Sequence, residues 1–216
     1  MKRPEYVLFD CDGVLVDSEP ITNVIMRDNL ARHGLELDLD QIFEMFVGGT
    51  MKGVMTRGRE LGADLPDNWL DQIYAEMFTA LAKDCLVIPG VSQMLDQLDA
   101  AGIGYAIGSN GPMAKMDVTL AKCGLAARFE GRVFSSYDCP AAKPAPDVYL
   151  KAAAAAGMKP HQCAVVEDSG SGARAGQAAG MQVFGYAGDN DPAKLRPFCD
   201  ILFTDMGALP GLLGVK

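Results

Sequence analysis

Apolar residues fall along this chain in two alternating patterns, short unbroken runs and longer stretches at helical spacing. Tyr6-Val7-Leu8-Phe9 is a continuous run ending at Asp10, the pattern of a strand buried on both faces of a parallel sheet. Similar runs occur at Tyr105–Ile107, Val133-Phe134, Ala164–Val166, Val183-Phe184 and Ile201–Phe203. Between them lie helical patterns: Val91, Leu95 and Leu98 with Gly102 as a stop, then Ala114–Cys123, Asp147–Ala156 and Ser171–Ala179. This alternation predicts an α/β fold, a doubly wound and mainly parallel sheet. Residues 19–84 break the rhythm with amphipathic segments at Pro20–Arg32, Met51–Leu61 and Trp69–Ala82 and no convincing strand. The chain is expected to leave the sheet after its first strand, build an inserted all-α cap, and return. The expected division is a core segment over 1–16, a helical cap over 17–86 and the rest of the core over 87–216, with Val14–Ser18 and Leu86–Pro89 as linkers.

Length agrees with that division, since 216 residues are about 1.4 times the roughly 150 of one domain. Charge narrows the partners. With 28 acidic against 19 basic residues the net charge is −9, which disfavours a nucleic-acid backbone or an anionic membrane surface. No apolar run is long enough to span a bilayer, and the four apolar residues before Asp10 are too few for a signal-peptide core, so a cytoplasmic location is expected. Cys11, Cys85, Cys123, Cys139, Cys163 and Cys199 are never closer than 16 residues in sequence, which excludes CxxC pairs and the usual zinc knuckles. They read as small buried apolar residues. With only His33 and His161, both beside turn residues and assigned to structure, acid–base chemistry must run mostly on carboxylates.

Ligands in open α/β sheets bind beyond the carboxyl ends of the strands. The first strand leads to Asp10-Cys11-Asp12-Gly13, the Tyr105 run to Ser109-Asn110-Gly111, and the Ala164 run to Glu167-Asp168-Ser169. Lys143-Pro144 follows Val133-Phe134 and can reach the same edge. Asp10 and Asp12 are two apart, so on extended backbone they project to one side. Adding Asp168 and Glu167 makes a self-repelling carboxylate cluster, which a hard divalent ion with oxygen ligands resolves, Mg²⁺ foremost. Mg²⁺ and Lys143 beside hydroxyl and amide donors suit a transferring phosphoryl group.

Asp10-Cys11-Asp12-Gly13-Val14, Ser109-Asn110, Lys143-Pro144 and Glu167-Asp168, in that order, resemble the four motifs of the haloacid dehalogenase-like superfamily. The resemblance covers essentially the whole chain and points to the β-phosphoglucomutase-like branch with a helical cap. Ser109–Met116, Lys143–Tyr149 and Glu167–Met181 look closest to bacterial sugar-phosphate phosphatases, those acting on 6-phosphogluconate among them. The resemblance implies that Asp10 takes the phosphoryl group as an aspartyl-phosphate and that Asp12 serves as general acid and base. It also implies Mg²⁺ held by Asp10, the Asp12 carbonyl and Asp168, with Glu167 a weaker candidate for ligation, and phosphoryl oxygens held by Ser109, Asn110 and Lys143.

Departures from relatives guide the choice of reaction. Dehalogenases and phosphonoacetaldehyde hydrolases lack an aspartate at the position of Asp12. The mutases of the branch carry a histidine where Thr22 stands and a basic pair where Val47 and Met51 stand. Without groups to hold a second phosphate, hydrolysis is favoured. The expected protein is a monomeric Mg²⁺-dependent phosphatase acting on a small phosphorylated metabolite, a sugar or sugar-acid phosphate. The alternatives are a phosphosugar mutase and a non-catalytic phosphometabolite binder. Elsewhere the readings are structural. Gly170-Ser171-Gly172 lets a helix pack close to the sheet; Lys52, Thr56 and Arg59 form a solvated basic face; Met45, Met51, Met55 and Met77 are cap core. No role is assigned to Trp69.

Overall fold

The computed structural model describes residues 3–46, 49–188 and 192–215. The first apolar run forms β1 (Tyr6–Phe9), and its alternation explains its burial. Val7 and Phe9 join one buried cluster while Tyr6 and Leu8 join another, on opposite faces of the sheet. After β1 the chain makes β2 (Val16–Asp17), then α1 (Glu19–Arg32), α2 (Leu39–Phe46), α3 (Met51–Glu60) and α4 (Trp69–Asp84). It returns through β3 (Leu86–Val87), which pairs antiparallel with β2, Val16 opposite Val87 and Asp17 opposite Leu86. The helical segment therefore enters and leaves through one two-stranded ribbon at the positions expected as linkers.

The remainder alternates as the pattern predicts: α5 (Val91–Ala100), β4 (Gly104–Ser109), α6 (Met113–Lys122), β5 (Val133–Ser135), α7 (Asp147–Ala155), β6 (Cys163–Glu167), α8 (Gly170–Ala178), β7 (Gln182–Tyr186), β8 (Ile201–Phe203) and α9 (Leu209–Leu212). Six strands form a parallel sheet in the order β5-β4-β1-β6-β7-β8. β1 is central, with the chain winding outward in opposite directions on its two sides, and ligand crevices form at such a switch point. Helices α5, α6 and α9 bury Leu95, Met116 and Leu209 in the cluster on one face. Helices α7 and α8 bury Tyr149, Ala152 and Ala175 on the other.

Four expectations are corrected. Helix α2 was not anticipated; Asp38 and Gln41 exchange side-chain to backbone bonds of 2.8 and 2.9 Å at its start, and Ile42 and Phe46 are its buried stripe. Met45 lies between those two, off the stripe, and is exposed; Met77 is buried, and Met51 and Met55 are partly buried. Cys11, Cys85 and Cys163 are buried, but Cys123, Cys139 and Cys199 are only partly so. The glycines of α8 divide two tasks. A Cβ on Gly176 would lie 3.0–3.1 Å from Val183 and Val165, so Gly176 carries the close packing on the sheet, whereas a Cβ on Gly172 would overlap the Glu167 carboxylate.

Lys52, Thr56 and Arg59 are exposed, and Arg59 bonds the Leu65 carbonyl and Asp67. His33 holds the Asp64 carbonyl through Nδ1 at 2.9 Å, and His161 is exposed in a short 3₁₀ turn. Trp69, left without a role, is fully buried and its Nε1 donates to Asn29 Oδ1 at 2.7 Å, locking α4 to α1.

Candidate active site

The seven residues singled out from the sequence converge at the carboxyl edge of the sheet. Asp10 extends β1, its N–H donating to the Val166 carbonyl at 3.0 Å. The chain then turns at Gly13, where φ is +73° and a Cβ would sit 2.0 Å from Asp168 Oδ2. Glycine is thus needed both for the left-handed backbone and for the close approach of Asp168.

Lys143 reaches this edge from the loop after β5. Its ammonium bonds Asp10 Oδ1 at 2.8 Å and Glu167 Oε1 at 2.6 Å and lies 4.7 Å from the centre of the Tyr149 ring. Tyr149 donates to the same Glu167 oxygen at 2.6 Å, while Glu167 Oε2 accepts from Ser169 N and Oγ at 3.2 and 3.0 Å. Both oxygens of fully buried Glu167 are therefore engaged in holding Lys143 and the start of α8. Asn110 fixes the other end of the Lys143 residue. Its Oδ1 accepts from Lys143 N at 2.9 Å, and its Nδ2 donates to the Lys143 carbonyl at 3.5 Å. Ser109, at the end of β4, is buried and accepts from Gly111 N at 2.9 Å.

Asp12 has a different setting. Lys115 Nζ at 2.8 Å and Ser18 Oγ at 2.5 Å both bond its Oδ1. Lys115 was missed from the sequence, although a signal existed. It stands in the first turn of α6, where the helix dipole disfavours a cation, so something nearby must hold it. Ser18 precedes α1 yet makes no side-chain cap, because its hydroxyl is committed to Asp12.

Asp10, Glu167 and Asp168 each bring an oxygen within 4.8 Å of the others. Asp168 is nearly buried, and among the described residues no donor reaches its carboxylate. Burial, followed by the charges of Glu19, Glu167 and Asp10, drives its pKa well above the usual carboxylate range. Burial also pushes Asp10 up to about 7 against the pull of Lys143, and Glu19 at the start of α1 up to about 7 with Asp12 as the strongest repelling charge. Burial would raise Asp12 too, but Lys115 and the bonds from Lys115 and Ser18 hold it below its ordinary value. Lys143 is raised, burial being outweighed by Asp10 and Glu167. Such an oxygen-only set, with one carboxylate that lines the cavity and takes no donor from the described residues, fits a hard divalent cation.

A cavity of about 120 Å³ opens over these groups. Its far wall comes from α1, α3 and α4 through Asn23, Met26, Met51, Val54, Tyr74 and Met77. Thr22 also lines it and bonds the Ser18 carbonyl at 3.1 Å. Val47 lies outside the described residues.

Fold and site together define a Rossmann-like α/β core with a lysine-countered acidic centre at its switch point and a helical insert above. The chain belongs to the haloacid dehalogenase-like hydrolase family, which matches residues 4–180. It is 31% identical over 214 residues to 6-phosphogluconate phosphatase of Escherichia coli K12, covering 98% of this chain and 96% of that one. The crystal structure of a HAD family hydrolase from Deinococcus radiodurans R1 with bound phosphate and sodium superposes with a TM-score of 0.80 at 31% identity, over 99% of this chain and 98% of the other. CbbY from Rhodobacter sphaeroides, as its D10N mutant with xylulose-(1,5)bisphosphate, shares the fold at 20% identity and TM-score 0.85, over 99% of each chain. No described helix is long and apolar enough to cross a membrane.

Proposed function

We propose that this protein is a Mg²⁺-dependent phosphoric monoester hydrolase acting on a small phosphorylated metabolite, a sugar or sugar-acid phosphate of the 6-phosphogluconate kind. One observation carries the reading. Asp10 and Asp12 face one cavity, each with Oδ1 bound by a lysine, and among the described residues no donor reaches Oδ2 of either. One carboxylate oxygen is thereby left for a nucleophile and one for a proton carrier.

In the first step Asp10 Oδ2 forms a bond to phosphorus while the bond from phosphorus to the ester oxygen breaks. That oxygen takes its proton from Asp12, which Lys115 holds ionised in the free protein. In the substrate complex the phosphate's negative charge offsets Lys115, so Asp12 picks up a solvent proton, and it leaves the step as a carboxylate. In the second step Asp12 accepts a proton from a water whose oxygen attacks phosphorus. The bond to Asp10 breaks, and inorganic phosphate is released. Ser109, the Asn110 backbone N–H and Lys143 hold the non-bridging oxygens. Asp10, Asp168 and the Asp12 carbonyl would hold Mg²⁺, which supplies charge neutralisation at the phosphoryl oxygens when bound. Glu167 is better read as the anchor of Lys143, since donors occupy both its oxygens.

Residues 17–86 serve in this reading as a cap that covers the cavity, and 1–16 with 87–216 form the catalytic core; the protein acts as a cytoplasmic monomer. A mutase would need a cationic site for a second phosphate. Thr22 and Met51 line the helical wall instead, and among the described residues the lysines of the cavity are Lys115 and Lys143, both on the core side.

The test is inorganic phosphate release from a panel of sugar and sugar-acid phosphates, with Mg²⁺ and with chelator, for the wild type and Asp10→Asn. Metal-dependent release that the variant loses while keeping its fold is the expected result. Conversion of one phosphate ester into another without net release would establish the mutase, and silence on both counts the binder.

A further inference from the structure

Lys115 belongs to none of the four motifs read from the sequence. Its side chain is only 14% exposed, it occupies the positive end of α6, and its stem passes over Gly111, where a Cβ would come within 3.7 Å of Lys115 Cδ and 3.7 Å of Asp12 Oδ2. Burying an ammonium there costs desolvation and opposes the helix dipole. The compensating contact is Asp12 Oδ1 at 2.8 Å, the same oxygen that Ser18 Oγ bonds. Two donors from separate elements, the start of α6 and the residue before α1, thus converge on one oxygen of one carboxylate.

We propose that Lys115 is a positioning residue that, with Ser18, clamps Asp12 by Oδ1 so that Oδ2 alone faces the ester oxygen of the bound phosphate. This rests on the hydrolase reading above. A carboxylate free to rotate about its Cβ–Cγ bond presents either oxygen at varying angles. One clamped on a single oxygen delivers its proton along a fixed line, and orientation of that kind is a large part of general acid catalysis. The role differs from that of Lys143, which bonds Asp10 and is placed to reach the phosphoryl oxygens.

The consequence is a dependence on the leaving group. An alkyl phosphate needs a proton on its departing oxygen, whereas p-nitrophenyl phosphate departs without one. The experiment compares kcat/KM, which reports the first step, for the best sugar or sugar-acid phosphate of the panel and for p-nitrophenyl phosphate, in wild type, Lys115→Met, Lys115→Arg and Ser18→Ala. Lys115→Met should lower the alkyl value by about 100-fold and the aryl value by less than about tenfold. Lys115→Arg should recover most of that gap, and Ser18→Ala should show a smaller gap of the same sign. If Lys115→Met fails to fold, the Lys115→Arg and Ser18→Ala ratios carry the test. Equal losses on the two esters in every folded variant would overturn the clamp and leave Lys115 a structural counter-charge. No release by the wild type from either ester would instead overturn the hydrolase reading, and the clamp with it.

Discussion

At the scale of single residues, the chemistry-bearing side chains of this chain were legible because they follow apolar runs. A strand buried on both faces must end where the chain meets water, and a carboxylate or serine there marks the sheet's ligand edge. Asp10, Asp12, Ser109, Asn110, Lys143, Glu167 and Asp168 could be read that way. Lys115 could not, because its partner Asp12 is distant in sequence and only the fold brings α6 beside the first loop. The second task of Asn110, holding Lys143 at both backbone polar groups, was hidden for the same reason. Gly172 offers a prediction at this scale. A Cβ there would lie 1.7 Å from Glu167 Oε1, so Gly172→Ala must displace the carboxylate from Lys143, Tyr149 and Ser169. Disrupting a buried ion pair costs about 3–5 kcal/mol, more than the roughly 1 kcal/mol of helix propensity that alanine returns. Urea unfolding should show a net loss, with phosphatase turnover falling as Lys143 is released; unchanged stability and turnover would contradict the anchoring of Lys143 by Glu167.

At the scale of elements, the strands and the long helices followed from apolar spacing alone, and their bounds differ from the expected ones by a residue or two. Helix α2 escaped because only Ile42 and Phe46 form its buried stripe, too few to show a period, and its capping pair Asp38 and Gln41 reads equally as loop. Strands β2 and β3 escaped because two residues each carry no alternation; their pairing exists only once the helical insert closes the loop between them. Inside that insert, Trp69 ties α4 to α1 by bonding Asn29, whose own amide donates to Glu76 at 3.1 Å. Trp69→Phe keeps most of the buried area but leaves Asn29 Oδ1 without its donor, so a loss of about 1–3 kcal/mol is expected. A denaturation midpoint equal to the wild type would show that this bond contributes nothing net.

At the scale of the whole molecule, the acidic centre links stability, pH and cation. Asp10 is raised from 3.8 to about 7, and Asp168 is raised well above its ordinary value, both chiefly by burial. A carboxyl group with a raised folded-state pKa binds more protons folded than unfolded, so its stabilising contribution is present at low pH and lost as pH rises through the folded value. For Asp10 that window runs from 3.8 to about 7. The metal-free protein should therefore lose stability across it, and Mg²⁺, which needs the ionised carboxylates, should raise Tm more at neutral pH than at the acid end of the window. An increment in Tm that is the same at both pH values would count against a cation among Asp10, Asp168 and their neighbours.

The central claim is that Asp10 carries the phosphoryl group and Asp12 then activates the water that removes it. Asp12→Asn should slow that second step most on an ester that needs no leaving-group proton, so p-nitrophenyl phosphate with Mg²⁺ is the substrate for trapping it. Peptide mass spectrometry of rapidly acid-quenched Asp12→Asn should find one added phosphoryl group on the peptide containing Asp10, and none in the Asp10→Asn, Asp12→Asn double variant. A phosphoryl group on any other residue, or Asp10→Asn turning over at the wild-type rate, would contradict the account.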